Sequence, residues 1–342
     1  MLKAAAFVVF VLLVTGCAGF GPDFGTNQIK VSRPLTEGLS NIATIRDINT
    51  IPNSPVLPGD QMDLSFIIEN TDNQESLKNV NVELYDAASF LNGQGMGGTG
   101  LCNLVNVMCT PEAEACTIEK CDMGSLAPGG QKLINYKLIA PSADDILKLS
   151  TDFELRFAVQ HDYIAKTTYR PVAVNADEIK ALQRAGQQVS IEAPTSIGSG
   201  PLKLDVSLKN RDFILNNNKA TFEVRARHTG TGRLADNKIA AGKLVVTFVG
   251  IGCDKFTDKD AVVGLKFTSA SLQTTGGAAS CKFMNKEDIV FFSQGLSVPM
   301  LFTMSGDDIG NVPQKSYEVT ATADYTYRLS GVAAVTVKPA EI

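Results

Sequence analysis

The sequence contains no tryptophan and only two histidines among its 342 residues, and these absences narrow its chemistry. Flat aromatic platforms for sugars rely heavily on tryptophan, so a carbohydrate-binding function is not favoured. His161 and His228 lie outside any metal-ligand motif, and the sequence has neither a G-x-S-x-G nor an H-E-x-x-H pattern. We therefore predict a non-catalytic protein without cofactor or metal, and we expect both histidines to be exposed strand or turn residues.

Excess positive charge is absent as well. The chain has 31 Lys and Arg against 36 Asp and Glu, which gives a net charge of −5, and its basic residues are scattered. Nucleic-acid-binding proteins concentrate positive charge on one face, so no nucleic-acid partner is predicted. Hydrophobic residues make up 44% of the chain, enough for two cores but too few for a protein that crosses a membrane many times.

The N-terminus carries the most specific pattern in the chain. Lys3 precedes a short apolar run from Ala4 to Val14, and Val14-Thr15-Gly16-Cys17 follows directly. A run of this length is typical of a signal peptide. The tetrapeptide resembles the lipobox of prokaryotic lipoproteins, which implies that residues 1–17 target the chain and that Cys17 receives a lipid.

Two alternatives to lipidation stay open, an ordinary cleaved signal and an uncleaved anchor that extends to Phe20. Glycines and prolines interrupt any regular element between Ala18 and Asn41, so residues 18–41 are predicted to be a tether. With a lipid on Cys17, the chain is expected to be extracytoplasmic and attached to the cell membrane.

Six further cysteines form an even set in a chain that carries an export signal. They are Cys102, Cys109, Cys116 and Cys121 in one cluster, and Cys253 and Cys281. An even number in an exported chain predicts disulfides. We predict that Cys253 pairs with Cys281 and that the cluster forms two bridges, for which three pairings stay open. A zinc site with four thiolate ligands is the alternative, but the wide spacings do not favour it.

A repeated pattern divides the chain. Val80, Val82 and Leu84 align with residues 244, 246 and 248, a separation of 244 − 80 = 164 residues. Tyr163 aligns with Tyr327 at the same separation, which is called the repeat spacing below. Two copies this long indicate a tandem duplication of whole domains, because a solenoid needs a short period and at least three repeats. The predicted domains are residues 42–174 and 188–342.

Strict alternation of apolar and polar residues predicts half-buried strands. Met62, Leu64, Phe66 and Ile68 share one face of such a strand. The stretch from Pro58-Gly59 through this strand to Val80-Asn81-Val82-Glu83-Leu84 resembles the immunoglobulin-like repeats of prokaryotic surface proteins, the CARDB and related S-layer-type modules. The resemblance covers about thirty residues of the first copy and implies two-layer β-sandwiches used for spacing, adhesion or assembly. The predicted fold is all-β, with two tandem immunoglobulin-like sandwiches.

A short helix is predicted between the copies, at residues 175–187. Asn175 can cap its first turn, with Glu178 as the reciprocal residue, and Gly186 can end it. Ile179 and Leu182 share one face.

Two local patterns have a chemical and a structural interpretation. The glycine-rich run at residues 93–100 fits G-x-G-x-x-G, but a cysteine-rich stretch follows it instead of a helix, so a loop is favoured within the excursion at residues 87–123. The aspartate pairs Asp144/Asp145 and Asp307/Asp308 recur at nearly the same place in both copies. Turn formation is favoured for them, with calcium binding as the alternative.

The tyrosines Tyr163, Tyr169, Tyr325 and Tyr327 fit either a small aromatic surface patch or ordinary sheet residues. Taken together, these features predict a non-catalytic cell-surface lipoprotein that acts as an adhesive or structural spacer. Its partners would be the membrane, other envelope proteins or further copies of itself. An accessory or binding subunit of an envelope complex, such as a pilus or secretion apparatus, is the alternative.

Overall fold

The computed structural model of the chain describes residues 29–85, 87–90, 103–104, 107–108, 120–187, 189–209, 211–257, 261–262, 265–273 and 279–339. The predicted all-β fold is confirmed, since β-strands dominate these residues. The strands are β1 (Ile29–Ser32), β2 (Leu35–Glu37), β3 (Ala43–Ile51), β4 (Gln61–Asn70), β5 (Lys78–Leu84), β6 (Asn103–Leu104), β7 (Val107–Met108), β8 (Lys120–Asp122), β9 (Gln131–Ile139), β10 (Thr151–Tyr169), β11 (Val172–Val174), β12 (Val189–Glu192), β13 (Thr195–Ile197), β14 (Leu202–Leu208), β15 (Ile214–Leu215), β16 (Ala220–His228), β17 (Arg233–Leu234), β18 (Lys238–Ile239), β19 (Leu244–Val249), β20 (Ala261–Val262), β21 (Leu265–Gln273), β22 (Ala279–Asn285), β23 (Ile289–Val290), β24 (Met300–Met304), β25 (Gln314–Ser316) and β26 (Glu318–Val337). The helix α1 spans Ala176–Arg184, and single 3₁₀ turns span Ala88–Phe90, Ala235–Asn237 and Cys253–Lys255.

The first half of the chain packs a three-stranded antiparallel sheet, β3-β4-β9, against strands β5 and β10. The alternation in β4 places its apolar side chains inward as predicted, and Phe66 is completely buried. Its ring stacks on Phe157 of β10 with the ring centroids 3.9 Å apart. The contact joins the two layers of a sandwich.

The second half repeats this arrangement with the sheet β14-β16-β24 packed against β19 and β26. Phe222 of β16 meets Phe248 of β19 edge to face, with ring centroids 5.0 Å apart. Corresponding residue pairs support the repeat. Tyr136 lies opposite Leu64 in the first sheet, and Met300, one repeat spacing after Tyr136, lies opposite Val224 in the second.

Two long strands connect the halves. β10 and β26 pair antiparallel from Thr151 opposite Val337 to Tyr169 opposite Val319. Near the centre of this ladder Asp162 lies opposite Thr326, which is its own counterpart at the repeat spacing. An approximate two-fold axis therefore passes between these two residues, and each long strand begins in its own half and ends in the other. The domain limits at residues 42–174 and 188–342 stay predictions.

The N-terminal part of the described chain corrects one expectation. Residues 29–37, predicted to belong to a tether, form β1 and β2, which pair in parallel with β12 and β13. The paired residues of β2 and β13 lie 195 − 35 = 160 positions apart in the sequence. Two identical residues recur at the same separation, Pro34 with Pro194 and Gly38 with Gly198. The glycines and prolines of this segment predict breaks, whereas in the structure they mark the ends of short paired strands.

A buried lysine holds β2 beside β13. Lys203 has no exposed surface, and its ammonium group donates to the carbonyl oxygens of Gly38, Leu39 and Gly198 at 2.7, 2.9 and 2.9 Å. Burial lowers the pKa of Lys203 from its ordinary value. One side chain thus supplies the donors for three carbonyl groups at the ends of two strands.

The predicted connecting helix is present as α1. The side chain of Asn175 accepts hydrogen bonds from the backbone N–H groups of Asp177 and Glu178, as an N-cap does. Ile179 is buried in a small cluster with Val172, Val174 and Ile191. The helix thus belongs to a second, smaller core at the end of β10 where β11 and β12 begin.

Gly331 is expected to be essential for the contact between layers. A Cβ atom at this position would overlap Cζ of Phe157, whose ring is held against Phe66. Gly331→Ala should therefore lower the free energy of unfolding by about 1–3 kcal/mol in denaturant titrations. The control Ala334→Val adds apolar bulk at an exposed position of the same strand and should change stability by no more than about 0.5 kcal/mol. Equal stabilities of the two variants would contradict this role.

Removal of the ammonium group of Lys203 should loosen β2. Lys203→Met leaves three carbonyl groups without that donor, so stability should fall by about 1–3 kcal/mol. Amide hydrogen exchange should accelerate at Gly38, whose N–H is bonded to the Ile197 carbonyl of β13. Lys209→Met, at an exposed lysine just after β14, is the matched control and should leave exchange unchanged. Unchanged protection of Gly38 in Lys203→Met would show that β2 is held by other contacts.

Candidate functional site: a groove at the junction of the halves

A polar groove of about 580 Å³ lies along β10 near the two-fold axis. β5 pairs with β10 as far as Asp162, and β13 pairs with it from Thr167 onward. Residues 163–165 have neither strand beside them, and the gap between β5 and β13 forms the groove. Its position follows from the shared ladder, because each neighbouring strand belongs to a different half.

Hydrogen bonds fix the carboxylates in the groove. Asp162 accepts from Asn79 Nδ2 at 2.7 Å through Oδ2 and from Thr326 Oγ1 at 2.5 Å through Oδ1. Asp324 accepts from Lys243 Nζ at 2.6 Å. These acids are already occupied by protein donors, which favours a structural role over acid/base chemistry.

One wall of the groove is a buried hydrogen-bonded pair. Tyr163 donates its hydroxyl to Asp72 Oδ2 at 2.5 Å, and Asp72 Oδ1 accepts from the backbone N–H of Gln74 at 2.9 Å. Burial raises the pKa of Tyr163 well above its ordinary value, and the Asp72 carboxylate raises it further. Tyr163 therefore stays protonated as a donor. The sequence around Asp72 indicates a polar turn and gives no sign that the turn is buried.

Two ammonium groups of the groove, those of Lys78 and Lys166, have no partner among the described residues. Together with the Glu75 carboxylate they leave the open side of the groove with both signs of charge. Such a surface is suited to contact with a polar or zwitterionic segment. Within the described chain, neither histidine is hydrogen-bonded to a serine or cysteine.

The expectation for the histidines is wrong. His161 is completely buried and His228 is half-buried, and both rings pack against Tyr327, with centroids 5.8 and 5.6 Å from its ring. Nε2 of His228 lies 3.2 Å from the Tyr327 hydroxyl, which also accepts from the backbone N–H of Gly232 at 2.6 Å. The register of the ladder accounts for the contact of His161, which lies directly opposite Tyr327, whereas His228 reaches the same ring from β16.

Burial sets the charge state of this cluster. It lowers the pKa of His161 from 6.5 to about 4, and the nearby Asp162 opposes the shift only partly. Burial also lowers the pKa of His228 and raises that of Tyr327 to about 12. All three side chains are therefore uncharged near neutral pH, as suits a packed junction between two cores.

The tyrosines are sheet residues and form no surface patch. Tyr163, Tyr169, Tyr325 and Tyr327 all have exposures of 5% or less. Tyr163 and Tyr325 meet edge to face, with centroids 6.3 Å apart, on opposite strands of the ladder. Of the two interpretations left open by the sequence, the structure supports the alternation.

The aspartate pairs make the hydrogen bonds of turns. Asp145 Oδ2 accepts from the backbone N–H of Ser142 at 3.0 Å and from its hydroxyl at 2.6 Å. Asp307 accepts from the Tyr317 hydroxyl and from Lys315, and Asp308 accepts from the backbone N–H of Gly310 at 2.9 Å. Asp144 is exposed in its turn. Among the described residues no three His, Cys, Asp or Glu side chains come together as ligands.

One predicted disulfide is present, between Cys253 and Cys281, with the sulfur atoms 2.01 Å apart. It links the 3₁₀ turn after β19 to β22, beside the cluster of Phe248, Phe256 and Phe283. A crosslink of this kind contributes about 2–4 kcal/mol by restricting the unfolded chain.

Several predicted residues lie outside the described residues. They are Cys17, Cys102, Cys109 and Cys116, together with the side chain of Cys121 and the glycine-rich run 93–100. Lipidation and the pairing within the cysteine cluster therefore stay predictions. Of the helices in the described chain, none has the length and apolarity to cross a bilayer.

The pH dependence of stability should report the burial of His161. As pH falls from 6.5 to 4, the unfolded chain takes up a proton at this residue and the folded chain does not. Above pH 6.5 the neutral His161 side chain costs no folding stability, because it is unprotonated in both states. Acidification from pH 6.5 to 4 should lower the free energy of unfolding by about 3 kcal/mol. His161→Phe should flatten this part of the stability profile in denaturant titrations at several pH values. An identical acid slope in the variant would show that His161 does not carry the effect.

No protein-family model and no curated protein matches the chain. Among solved structures, it is similar to the C-terminal domain of the Streptococcus pyogenes antigen I/II-family protein AspA at 10% identity and a TM-score of 0.18, over 87% of this chain and 100% of that one. The B domain of a biofilm associated protein matches at 9% identity and a TM-score of 0.19, over 86% and 74%. The chitinase ChiA74 from Bacillus thuringiensis matches at 10% identity and a TM-score of 0.17. This match covers 80% of the present chain but only 28% of the chitinase. Likenesses at these scores carry no inference about function.

Proposed function

We propose that the chain is a non-catalytic, lipid-anchored surface protein whose two all-β halves act as one stiff structural or adhesive spacer. The observation that carries this proposal is the continuous ladder of β10 and β26. A flexible linker between domains allows relative motion, whereas a ladder shared by both cores opposes it. At about 3.3 Å per residue, the paired length of β10, a strand of 19 residues, extends for roughly 60 Å.

The direction of the spacer follows from the order of the elements. β1 begins twelve residues after Cys17 and pairs with β12, beside α1 and the C-terminal end of β10. A lipid on Cys17 would place this end at the membrane, separated from it by at most about 40 Å of chain. The start of β10 would then be the end directed away from the membrane.

That outer end has the character of a contact surface. The turn at residues 143–149 leads into β10, and it exposes Leu147 and Leu149 at 78% and 64%. Leu147 and Lys148 both have positive φ, 52° and 60°, which is unfavourable for residues with side chains. In the counterpart turn, matched through the aspartate pairs to residues 306–312, Asn175 at the start of α1 donates to the carbonyl oxygens of Gly310 at 2.8 Å and of Pro313, the next residue, at 3.0 Å. Exposed leucines at the tip of a spacer support an adhesive role.

The contacts of the titratable groups support the non-catalytic part of the proposal. The buried histidines pack on Tyr327, and the groove carboxylates of Asp162 and Asp324 are bonded to protein donors.

The alternative function, an accessory subunit of a pilus or secretion apparatus, is favoured by one observation. Part of the outer edge of β26 carries backbone groups with no strand beside them in the described chain. Such an edge can accept a strand from a partner.

Anchoring is tested by changing the lipidated residue. Cys17→Ser should abolish metabolic labelling with a fatty acid and release the chain from the membrane fraction, because no acyl chains would then hold it. Gly16→Ala keeps a small residue before the cysteine and is the matched control, so it should stay labelled and membrane-bound.

Surface exposure is tested in the same strains. Protease added to intact cells should remove the wild-type chain but spare a cytoplasmic marker. A Cys17→Ser chain that stays in the membrane fraction, or a wild-type chain protected in intact cells, would contradict the proposal.

A further inference from the structure

Part of the outer edge of β26 has no strand beside it among the residues that the structure describes. The first residues of β26 pair with β19, Arg328 lies opposite Arg233 of β17, and Thr336 bonds to Ser54 and Val56. Between these contacts, no described strand lies beside β26 on the side away from β10. The open stretch, residues 330–334, is called the open edge below.

The direction of the backbone groups along the open edge follows from regular alternation. Thr336 points its N–H and C=O outward, since Ser54 Oγ and the N–H of Val56 bond to them at 2.9 Å each. Every second residue of a strand directs these groups to the same side, and the ladder with β10 has no shift of register. Ser330, Val332 and Ala334 therefore present outward donors and acceptors, and all three residues are exposed.

The equivalent edge in the other half is covered. The repeat spacing maps the open edge onto residues 166–170, at the end of β10. There Gly198 donates to the Lys166 carbonyl at 2.7 Å, and the N–H of Arg170 donates to the Pro194 carbonyl at 3.0 Å. The covering strand is β13. Its own counterpart, by the match of Pro34 with Pro194, is β2, which lies beside β13 instead of on the open edge.

Within the described ranges, β2 is an outermost strand with no strand on its second side. Pro34 and Gly38 direct their backbone groups to β13, so Leu35 and Glu37 direct theirs away from it. All residues of β2 are exposed, and Leu35 is 61% exposed. One chain thus has both the open edge of β26 and, elsewhere, the strand β2, whose counterpart β13 covers the equivalent edge of β10.

We propose that the open edge of one copy is covered by β2 of a second copy, which keeps its pairing with β13. The open edge bears no charged side chain that would oppose an incoming strand, and charges are the usual protection of edges. The contact joins two different surfaces, so it leaves an open edge on one copy and a free β2 on the other. Repetition would produce an open-ended series of copies. This inference deepens the proposed structural role, but it does not depend on lipid attachment.

The test compares two exposed valines in the full chain purified in detergent. Val332 is 48% exposed in the open edge and Val290 is 59% exposed in β23. Wild type and Val290→Lys should associate as concentration rises in analytical ultracentrifugation. Val332→Lys should stay monomeric, because a lysine on an edge strand disfavours pairing. Ala334→Lys provides a second variant at the same edge if Val332→Lys fails to fold by circular dichroism.

Hydrogen exchange identifies the paired segments. The amides of Val332, Ala334, Leu35 and Glu37 should become protected only in the associated wild type. Association that Val332→Lys and Ala334→Lys both leave intact would overturn the inference, as would a wild type that stays monomeric. Protection of the open edge in the monomer would overturn it too, because another part of the same chain would then cover it. The outcome is independent of the Cys17→Ser experiment, so anchoring and association can fail separately.

Discussion

The pairing of β10 with β26 is the constraint on which the rest of the structure depends. The ladder contains strands from both halves, and its backbone hydrogen bonds therefore hold the halves together across the approximate two-fold axis between Asp162 and Thr326. The same register places His161 opposite Tyr327 and Tyr163 opposite Tyr325, so it determines which polar side chains are buried at the junction. A change of one residue in register would turn every one of these side chains to the other face. Junction, groove and core are therefore consequences of one alignment.

The sequence predicted the repeat and the alternation, because both are local or periodic signals. Met62, Leu64, Phe66 and Ile68 are buried as their alternation indicates, and the repeat spacing reappears in the ladder, where Asp162 lies opposite Thr326. The length of β10 was not predicted. His161 and Asp162 are polar residues within an apolar pattern, yet the strand continues through them, with His161 packed on Tyr327 and Asp162 bonded to Thr326. Long-range partners of this kind leave no trace in a local window.

The candidate site was harder to predict than the fold. A groove between β5 and β13 requires that strands from different halves flank one long strand, and no motif encodes that juxtaposition. Asp72 and Lys203 illustrate the difficulty, since both look like surface residues in sequence and both are buried with hydrogen-bond partners from distant positions. A signal for β2 did exist in the match of Pro34 with Pro194, but their separation is slightly shorter than the repeat spacing. The second copy has four more residues than the first between the proline and the strand aligned with β5, so a search at one fixed offset misses the match of Pro34 with Pro194.

That difference in spacing also bears on why a duplicated chain is asymmetric. Exact two-fold symmetry would place β2 and β13 on equivalent edges of β26 and β10. Instead, β2 pairs in parallel with its own counterpart, and Lys203 binds the carbonyl ends of both segments. The monomer thereby satisfies the backbone of β2 on one side and leaves Ser330, Val332 and Ala334 without a strand beside them in the described chain. When β2 pairs with its counterpart β13, it cannot also cover the equivalent edge of β26, because one side of one strand cannot occupy both places.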